Sequence, residues 1–227
     1  MSDPLLRLIS GGLKLWLRSR CDHISSLEIE LKGTGLGLLS GQLAGVQLTA
    51  RDVRFQGLPL HHVELHSEAI VVDLQVLKPS RMLALQHPFK VSGSVTFQGS
   101  ALNQALLVPP WNWLGDWLSE QLMGITPLGG LRIEGNSLEL CAPVSGTQTP
   151  LQRHFRVNAD GGAVVFKSED EQALATALPM DDNINIEEAT LSAGQLVLLG
   201  HARVTPKTPR ILSDQDIENS GSTKATR

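Results

Sequence analysis

The sequence predicts an α+β protein in which a strongly curved antiparallel β-sheet, built as a meander, wraps round amphipathic helices. The first sign is alternation. Between residues 27 and 78, apolar and polar side chains follow each other with the period of two that indicates strands with one buried face. The second sign is the helical spacing of apolar residues over 4–22 and 101–123. A sheet with one apolar face needs a cover, and these helices can supply it.

The phase of this alternation changes twice along the meander. The apolar residues are even-numbered from 46 to 50, odd-numbered from 53 to 65, and even-numbered again from 70. Because a slip of one residue sends every side chain to the opposite face, each change of phase requires a bulge or a turn. We place these breaks at Arg51-Asp52 and Ser67-Glu68, and we expect the sheet to bend there.

Residues 4–22 are predicted to form a basic amphipathic helix. Asp3 and Pro4 are a start signal, since a carboxylate caps the first turn and proline fits it. The apolar residues recur on one side of this helix: Leu6, Ile9, Leu13, Trp16 and Leu17. The charged residues are the cations Arg7, Lys14, Arg18 and Arg20 and the single anion Asp22. Two compatible interpretations stay open: the helix lies on an anionic membrane surface, or it covers the sheet and keeps its cations in water.

Three of the four tryptophans lie in the helical segment 101–123, at positions 111, 113 and 117. A strand over 89–97 leads into this segment. Ser100 is expected to cap its first helix and Pro109-Pro110 to stop it, since proline donates no backbone hydrogen bond. A second helix is predicted over 111–123. Its tryptophans suit either a packed core or a surface that faces lipid or a partner, because Trp is apolar and carries one N–H group.

More strands are predicted from 131 to 205. Hairpin turns are indicated at Gly135-Asn136, Asp160-Gly161-Gly162 and Ser192-Ala193-Gly194. The acidic stretch 168–182 is expected to be irregular, with one helical turn near 173–177. We therefore predict a single domain over residues 1–205, followed by a disordered polar tail over 206–227.

The composition argues against several classes of function. A net charge of −4 and an isoelectric point near 6.0 argue against a nucleic-acid partner, which would need clustered cations. Tyrosine is absent and phenylalanine is scarce, so stacking platforms for single strands are missing as well. Cations interrupt the apolar residues of the N-terminal segment, unlike a signal peptide, and no run reaches the roughly 20 apolar residues that span a bilayer. We expect a cytoplasmic protein that is at most peripheral to a membrane.

The chain lacks the sequence motifs of several common enzymes and metal sites, among them G-x-S-x-G, H-E-x-x-H and G-x-x-x-x-G-K-[ST]. We therefore expect a binding protein and not an enzyme, with no metal and no cofactor other than a bound lipid. His62, Glu64, His66 and Glu68 would share one side of a strand, where they could be metal ligands. That side lies opposite Val63, so a solvated face is the simpler interpretation.

Two smaller features have structural interpretations. Two cysteines, Cys21 and Cys141, do not make a disulfide framework. They could pair with each other, but in a chain with no secretory signal two free, buried thiols are the favoured interpretation. The glycine-rich stretch 33–37 is predicted to be a flexible turn and not a phosphate cradle, because another strand follows it where a helix would be needed.

The order of several sequence blocks resembles the LmeA-like phospholipid-binding family, in the short form without a signal sequence that is common in cyanobacteria. The blocks are LWLRSR (15–20), LEIEL (27–31), LSGQLAGVQLTA (39–50), VRFQGL (53–58), VSGSV (91–95), ALNQAL (101–106), IEEATL (186–191) and GHARV (200–204). The resemblance implies a fold related to the tubular lipid-binding (TULIP-like) superfamily, with a curved sheet wrapped round helices and an apolar groove. It also implies phospholipid binding without catalysis, and it supplies no catalytic residue.

The functional hypothesis is a non-catalytic protein that binds a phospholipid or another acyl lipid and acts at a membrane surface, in lipid transfer or in maintenance of a membrane envelope. An apolar space between a one-faced sheet and two amphipathic helices can take an acyl chain, at about 0.8 kcal/mol per buried methylene. The expected lipid or membrane contacts are Leu13, Trp16, Leu17, Arg18, Trp111, Trp113, Leu114, Trp117 and Leu118. The alternative is a structural or protein-interaction module whose sheet is filled by its own helices.

Overall fold

The computed structural model describes residues 4–73, 84–85, 87–169 and 174–205 of the 227-residue chain. Within these residues the helices are α1 (Pro4–Arg20), α2 (Gly35–Leu39), α3 (Gly99–Leu106) and α4 (Asn112–Met123). The strands are β1 (His23–Lys32), β2 (Gln42–Leu43), β3 (Gly45–Phe55), β4 (Leu58–Ser67), β5 (Ile70–Asp73), β6 (Ala84–Leu85), β7 (Phe89–Gln98), β8 (Gly130–Glu134), β9 (Ser137–Ala142), β10 (Leu151–Asp160), β11 (Ala163–Ser168), β12 (Ala175–Ala177), β13 (Ile184–Ser192) and β14 (Gln195–Val204).

The described strands form three sheets, and every pairing within them is antiparallel. The six-stranded sheet has the order β1-β3-β4-β7-β14-β13. The five-stranded sheet has the order β12-β11-β10-β9-β8, and the three-stranded sheet the order β2-β5-β6. The prediction of an α+β protein with antiparallel strands is therefore confirmed.

The meander predicted over 27–78 divides between two of these sheets. β1, β3 and β4 are neighbours in the six-stranded sheet, as expected, but β5 leaves it and pairs with β2. The chain leaves the six-stranded sheet at the predicted break, Ser67-Glu68. β4 ends at Ser67, whose hydroxyl accepts a hydrogen bond from the Val46 backbone N–H at 2.8 Å. The neighbour of β4 on its other side is β7, a pairing between distant segments that local alternation could not reveal. Residues 74–78 lie outside the described part of the chain.

One face of the six-stranded sheet is apolar along its full width. Partners that lie directly opposite each other in antiparallel strands point to the same face. A continuous row of such partners crosses all six strands: Leu27, Ala50, Val63, Val95, Leu198 and Ala189. This is the buried face that the period-two alternation predicts, and the helices have to cover it.

The first change of phase is concerted among three strands. Ile24, Val53 and Leu60 are cross-strand partners, each three residues from a member of the apolar row, and they contact the same apolar cluster. Their pairing shows no inserted residue, so a bulge is not the cause. Instead Asp52 adopts a left-handed backbone with a φ of 48°, which Asp tolerates better than most residues. The predicted break at Arg51-Asp52 is therefore present, with a different geometry from a bulge.

The described core has three parts. The largest packs α3, α4 and the β13–β14 hairpin against the five-stranded sheet, around buried residues such as Leu122, Leu140 and Phe155. The second packs one side of α1 on β1, β3 and β4. The third, around Leu38, Leu43 and Ile70, joins the start of α1 to α2 and the three-stranded sheet. α1 therefore covers one end of the apolar face, and the largest core covers the other.

Two of the predicted helix ends need correction, and a third is confirmed. α1 ends at Arg20 and not at Asp22, whose carboxylate accepts a hydrogen bond from the Gly57 backbone N–H at 2.8 Å. α3 begins at Gly99, so Ser100 lies inside it and is not its cap; the Gly99 N–H donates to the carbonyl of Gly194 at 2.8 Å, which fixes the start from outside the helix. Pro109-Pro110 does separate α3 from α4, as predicted.

Two segments have a different secondary structure from the one predicted. The flexible turn expected over 33–37 contains the start of α2, and the Thr34 hydroxyl caps it by accepting a hydrogen bond from the Gly37 N–H at 3.1 Å. The helical turn expected near 173–177 is wrong, because Ala175–Ala177 is strand β12. It pairs with β11, which would otherwise leave backbone groups at the sheet edge unpaired.

Candidate functional site

An apolar groove of about 510 Å³ lies between α1 and the six-stranded sheet. We call it the α1 groove. Its walls come from the last turn of α1, through Trp16, Leu17 and Arg20, and from the start of β1. Its floor belongs to β1, β3 and β4, and includes Leu27, Leu48, Ala50, Val63 and Leu65. The change of phase at Asp52 adds Ile24, Val53 and Leu60, so both halves of these strands present apolar side chains to one space.

Few polar groups reach the α1 groove. Among the described side chains that line it, only those of Arg20 and Gln56 are polar, apart from the thiol of Cys21. Arg20 lies over the ring of Trp16, with 5.7 Å between the guanidinium carbon and the ring centroid, a cation–π contact. Burial raises the pKa of the Cys21 thiol, and the negative charge of Asp22 raises that pKa further. An apolar site with few polar groups suits a hydrocarbon ligand.

A second hollow, of about 430 Å³, adjoins the groove at Gln56, which lines both. Its other walls are Asp22, Gly57, Pro110, Trp111 and Trp113. The indole Nε1 of Trp111 donates a hydrogen bond to the Gln56 carbonyl at 2.8 Å. The rings of Trp111 and Trp113 stack, with 6.3 Å between their centroids. The tryptophan segment is thus fastened to the β3–β4 turn beside the groove.

The α1 residues predicted to contact lipid or membrane have different surroundings in the structure. Leu13 and Leu17 are half-buried against β1, β3 and β4, and Leu17 also lines the groove. Trp16 lines the groove but keeps 40% of its surface exposed. Arg18 is exposed and does not line the groove. The apolar stripe of the helix therefore covers the sheet, which is one of the two interpretations that the sequence allowed.

The predicted contact residues in and next to α4 also differ in their surroundings. Leu118 is only 3% exposed and belongs to the largest core, and Leu114 and Trp117 are half-buried against that core. Trp111 is half-buried and hydrogen-bonded, whereas Trp113 is 54% exposed. Trp16 and Leu17 thus meet at the groove, and Trp111 and Trp113 meet at the adjoining hollow. Leu114, Trp117 and Leu118 lie in core packing.

Sequence reasoning missed the β3–β4 turn as part of the site. Gln56 and Gly57 have φ angles of 50° and 80°, the left-handed pair that a tight two-residue hairpin turn requires. This turn places Phe55, which is 42% exposed, and Gln56 at the rim of the groove. The available signal was a glycine two positions after a phenylalanine, between two alternating runs, and it indicates the turn but not what the turn touches.

Two histidines of β4, His61 and His62, each lie beside a carboxylate. His62 Nε2 lies 2.8 Å from Glu64 Oε1, and His61 Nδ1 lies 3.0 Å from Asp52 Oδ1. Among the described residues no group of three or more His, Cys, Asp or Glu side chains is placed to hold a metal ion. Cys21 and Cys141 are free thiols, as predicted, and both are half-buried. Cys21 packs against the apolar cluster of β1, β3 and β4, whereas Cys141 lies on β9.

None of the helices in the described part of the chain is both long enough and apolar enough to cross a bilayer.

Comparison with known protein families agrees with the apolar groove. The family model described as LmeA-like phospholipid-binding matches residues 2–201, which is most of the 227-residue chain. No curated protein and no solved structure matches the chain. The matched residues include α1, the six-stranded sheet except for the last three residues of β14, and the residues that line both hollows. The chain belongs to the LmeA-like phospholipid-binding family.

Proposed function

We propose that the protein binds a phospholipid without altering it chemically, with an acyl chain in the α1 groove. In this proposal it acts peripherally at a membrane, in lipid transfer or in maintenance of a membrane envelope. The observation that carries the proposal is the groove, in which the apolar floor of three strands and the apolar side of α1 face each other without filling the space between them.

The size and lining of the α1 groove suit part of a lipid molecule. Its volume of about 510 Å³ lies within the usual range for small-molecule sites. Each methylene that leaves water for such a surface contributes about 0.8 kcal/mol. The two polar side chains, Arg20 and Gln56, stand near the rim, so a lipid can bury its chain and leave its headgroup near Arg20 and water.

The groups in the groove also favour binding over catalysis. Among the described residues that line it there is no carboxylate and no imidazole that could act as a general acid or base. The nucleophilic group within this described lining is the thiol of Cys21, whose raised pKa keeps it protonated and weakly reactive at neutral pH. As part of this proposal, the fold is related to the tubular lipid-binding superfamily, supported by the helix-covered apolar sheet.

The direct test is lipid content. Protein purified without added lipid is examined by native mass spectrometry and by extraction into organic solvent followed by lipid analysis. We expect a phospholipid bound at close to one per chain. Several preparations that contain no lipid, and that take up none from vesicles, would refute the proposal.

A matched pair of variants locates the site. Leu48→Trp places a larger ring on the floor of the groove, where Leu48 is half-buried. Val197→Trp makes a similar change on the opposite face of the same sheet, where Val197 pairs with Thr96. We expect Leu48→Trp to lose most of the bound lipid and Val197→Trp to keep it. Equal lipid content in both variants would place the lipid elsewhere.

A second candidate function, a structural or protein-interaction module, has one observation in its favour. The largest core is filled by its own side chains, with Leu140 and Phe155 completely buried, so no lipid is needed to complete that part of the fold. This function predicts a lipid-free protein whose thermal unfolding temperature does not change when phospholipid is added. A ligand that binds the folded state raises that temperature, so the measurement separates the two functions.

A further inference from the structure

α1 has a second apolar side, which faces away from the sheet. Its inner side, with Leu6, Ile9, Leu13 and Leu17, is half-buried. Leu8 and Leu15 lie on the outer side and are 74% and 72% exposed. They are seven residues apart, which is two helical turns, so they share one line along the helix.

Exposed leucines are concentrated in this part of the molecule. Among the described residues the four most exposed leucines are Leu8 and Leu15 of α1 and Leu36 and Leu39 of α2, a helix that contacts α1. Single exposed leucines are common on protein surfaces, whereas groups of them mark contact surfaces. The outer side of α1 therefore has the character of a contact surface.

The outer side of α1 is also strongly basic. The segment Pro4–Arg20 carries four cations and no acidic residue, in a chain whose net charge is −4. Arg7, Lys14 and Arg18 lie together along one flank of the two leucines, roughly 60° to 120° around the helix axis from them at about 100° per residue. None of the three takes part in an ion pair within the described residues. Gly11 and Gly12 lie between the leucines, and a Cβ atom there would have no neighbour within 4 Å. The surface is thus open, apolar along its centre and positive at its margin.

We propose that this outer side of α1, formed by Leu8 and Leu15 with Arg7, Lys14 and Arg18, is the docking surface for an anionic lipid bilayer. Apolar side chains enter the boundary between headgroups and acyl chains, and cations pair with anionic headgroups. A second copy of this chain fits less well, because a two-fold contact would bring two basic helices together. The inference rests on the proposed function and deepens it, since it names the membrane and the face that meets it.

The test is binding of the full-length protein to two kinds of vesicle, measured by flotation. One kind contains equal parts of phosphatidylcholine and phosphatidylglycerol, and the other contains phosphatidylcholine alone. We expect binding to the anionic vesicles, weakened by added salt, which screens exposed charges. Leu8→Gln with Leu15→Gln removes apolar contact but no charge, and should weaken binding about one hundredfold, with about tenfold for each single variant.

The control pair is Leu174→Gln with Leu199→Gln. These leucines are 41% and 40% exposed and lie outside α1 and α2. The control should bind anionic vesicles as the unaltered protein does.

Replacing Arg7, Lys14 and Arg18 by Gln should remove the preference for anionic vesicles. Because all the replaced side chains of α1 except Lys14 are exposed, each variant should keep its circular dichroism spectrum and unfolding temperature.

Several outcomes would overturn the proposal. They are absence of vesicle binding by the unaltered protein, equal binding by the Leu8→Gln, Leu15→Gln variant, and a stable dimer that this variant disrupts. The lipid content of the purified protein tests separately whether a lipid occupies the α1 groove. A variant that keeps its bound lipid but loses vesicle binding supports both proposals, and vesicle binding by a lipid-free protein supports only the docking surface.

Discussion

The indole Nε1 of Trp111 donates a hydrogen bond to the backbone carbonyl of Gln56, 2.8 Å away and 55 positions earlier in the chain. This bond joins the residue before α4 to the turn between β3 and β4. The same turn packs against Pro110, since a Cβ atom on Gly57 would lie 3.1 Å from the Pro110 ring. Trp111 therefore holds two parts of the molecule together beside the α1 groove, whereas Trp113, stacked on it, is largely exposed.

Replacing Trp111 by Phe should destabilise the protein through loss of this hydrogen bond. We expect a decrease of about 1 kcal/mol in the free energy of unfolding, the usual net value of such a bond, with some further loss from reduced ring area. Trp113→Phe is the matched control and should change stability by less than about 0.5 kcal/mol, because its ring is mainly in water. Urea unfolding measures both. Equal effects would mean that the bond does not contribute.

The tryptophans of α4 should respond differently to truncation. Trp117 is packed against the largest core, so Trp117→Ala should cost about 2–4 kcal/mol of stability. Trp113→Ala should leave the fold intact, because Trp113 is 54% exposed. Thermal unfolding separates these cases. If Trp113→Ala weakens vesicle binding while the protein stays folded, Trp113 adds to the membrane contact; unchanged vesicle binding would exclude that role.

Two glycine substitutions should have opposite signs. Gly93 has a φ of 153°, and a Cβ atom there would overlap the backbone carbonyl of Glu64 in the neighbouring strand. Gly93→Ala should therefore cost about 3 kcal/mol or more. Gly11 lies in α1 with free space around it, so Gly11→Ala should stabilise the protein by about 0.5–1 kcal/mol through helix propensity. Chemical unfolding tests both, and a stable Gly93→Ala protein would contradict the strand pairing.

The reactivity of Cys21 should depend on pH and on lipid. Burial, and then the charge of Asp22, raise the pKa of its thiol, so less thiolate is present at neutral pH than for a free cysteine. Alkylation by iodoacetamide should be slow at neutral pH and should level off at a higher pH than for a cysteine peptide. Because Cys21 lines the groove, added phospholipid should slow its alkylation further.

Cys141 supplies the internal control for that experiment. Burial also raises the pKa of this thiol, followed by the charge of Glu139, but Cys141 does not line the groove. Its alkylation should show a similar dependence on pH and no dependence on lipid. Mass spectrometry of the digested protein gives both rates in one sample. Equal protection of the two thiols by lipid would indicate a general stabilisation and not occupation of the groove.

Most strands, hairpins and helix positions could be predicted from the sequence because they depend on neighbouring residues. Alternation located β1, β3 and β4, the turn signal at Asp160-Gly161-Gly162 located a hairpin, and proline marked the end of α3. Two of the errors share a cause. β12 forms because β11 offers an open edge, and α3 starts where Gly194 accepts its first N–H group. Both partners are distant in sequence, so local propensity gave no sign of them.

The chemical character of the candidate site could be predicted from the sequence, but the residues that form the site could not. The apolar and basic character of α1 is a property of its sequence, and it was sufficient to expect contact with lipid. Which residue meets the sheet, the groove or water depends on the direction each helix faces after packing. Tertiary structure therefore left Leu118 in the core, brought Gln56 to Trp111, and exposed Leu8 and Leu15 on a face that the predicted stripe did not include. Periodicity defines an apolar side, but only the assembled neighbours determine what covers it.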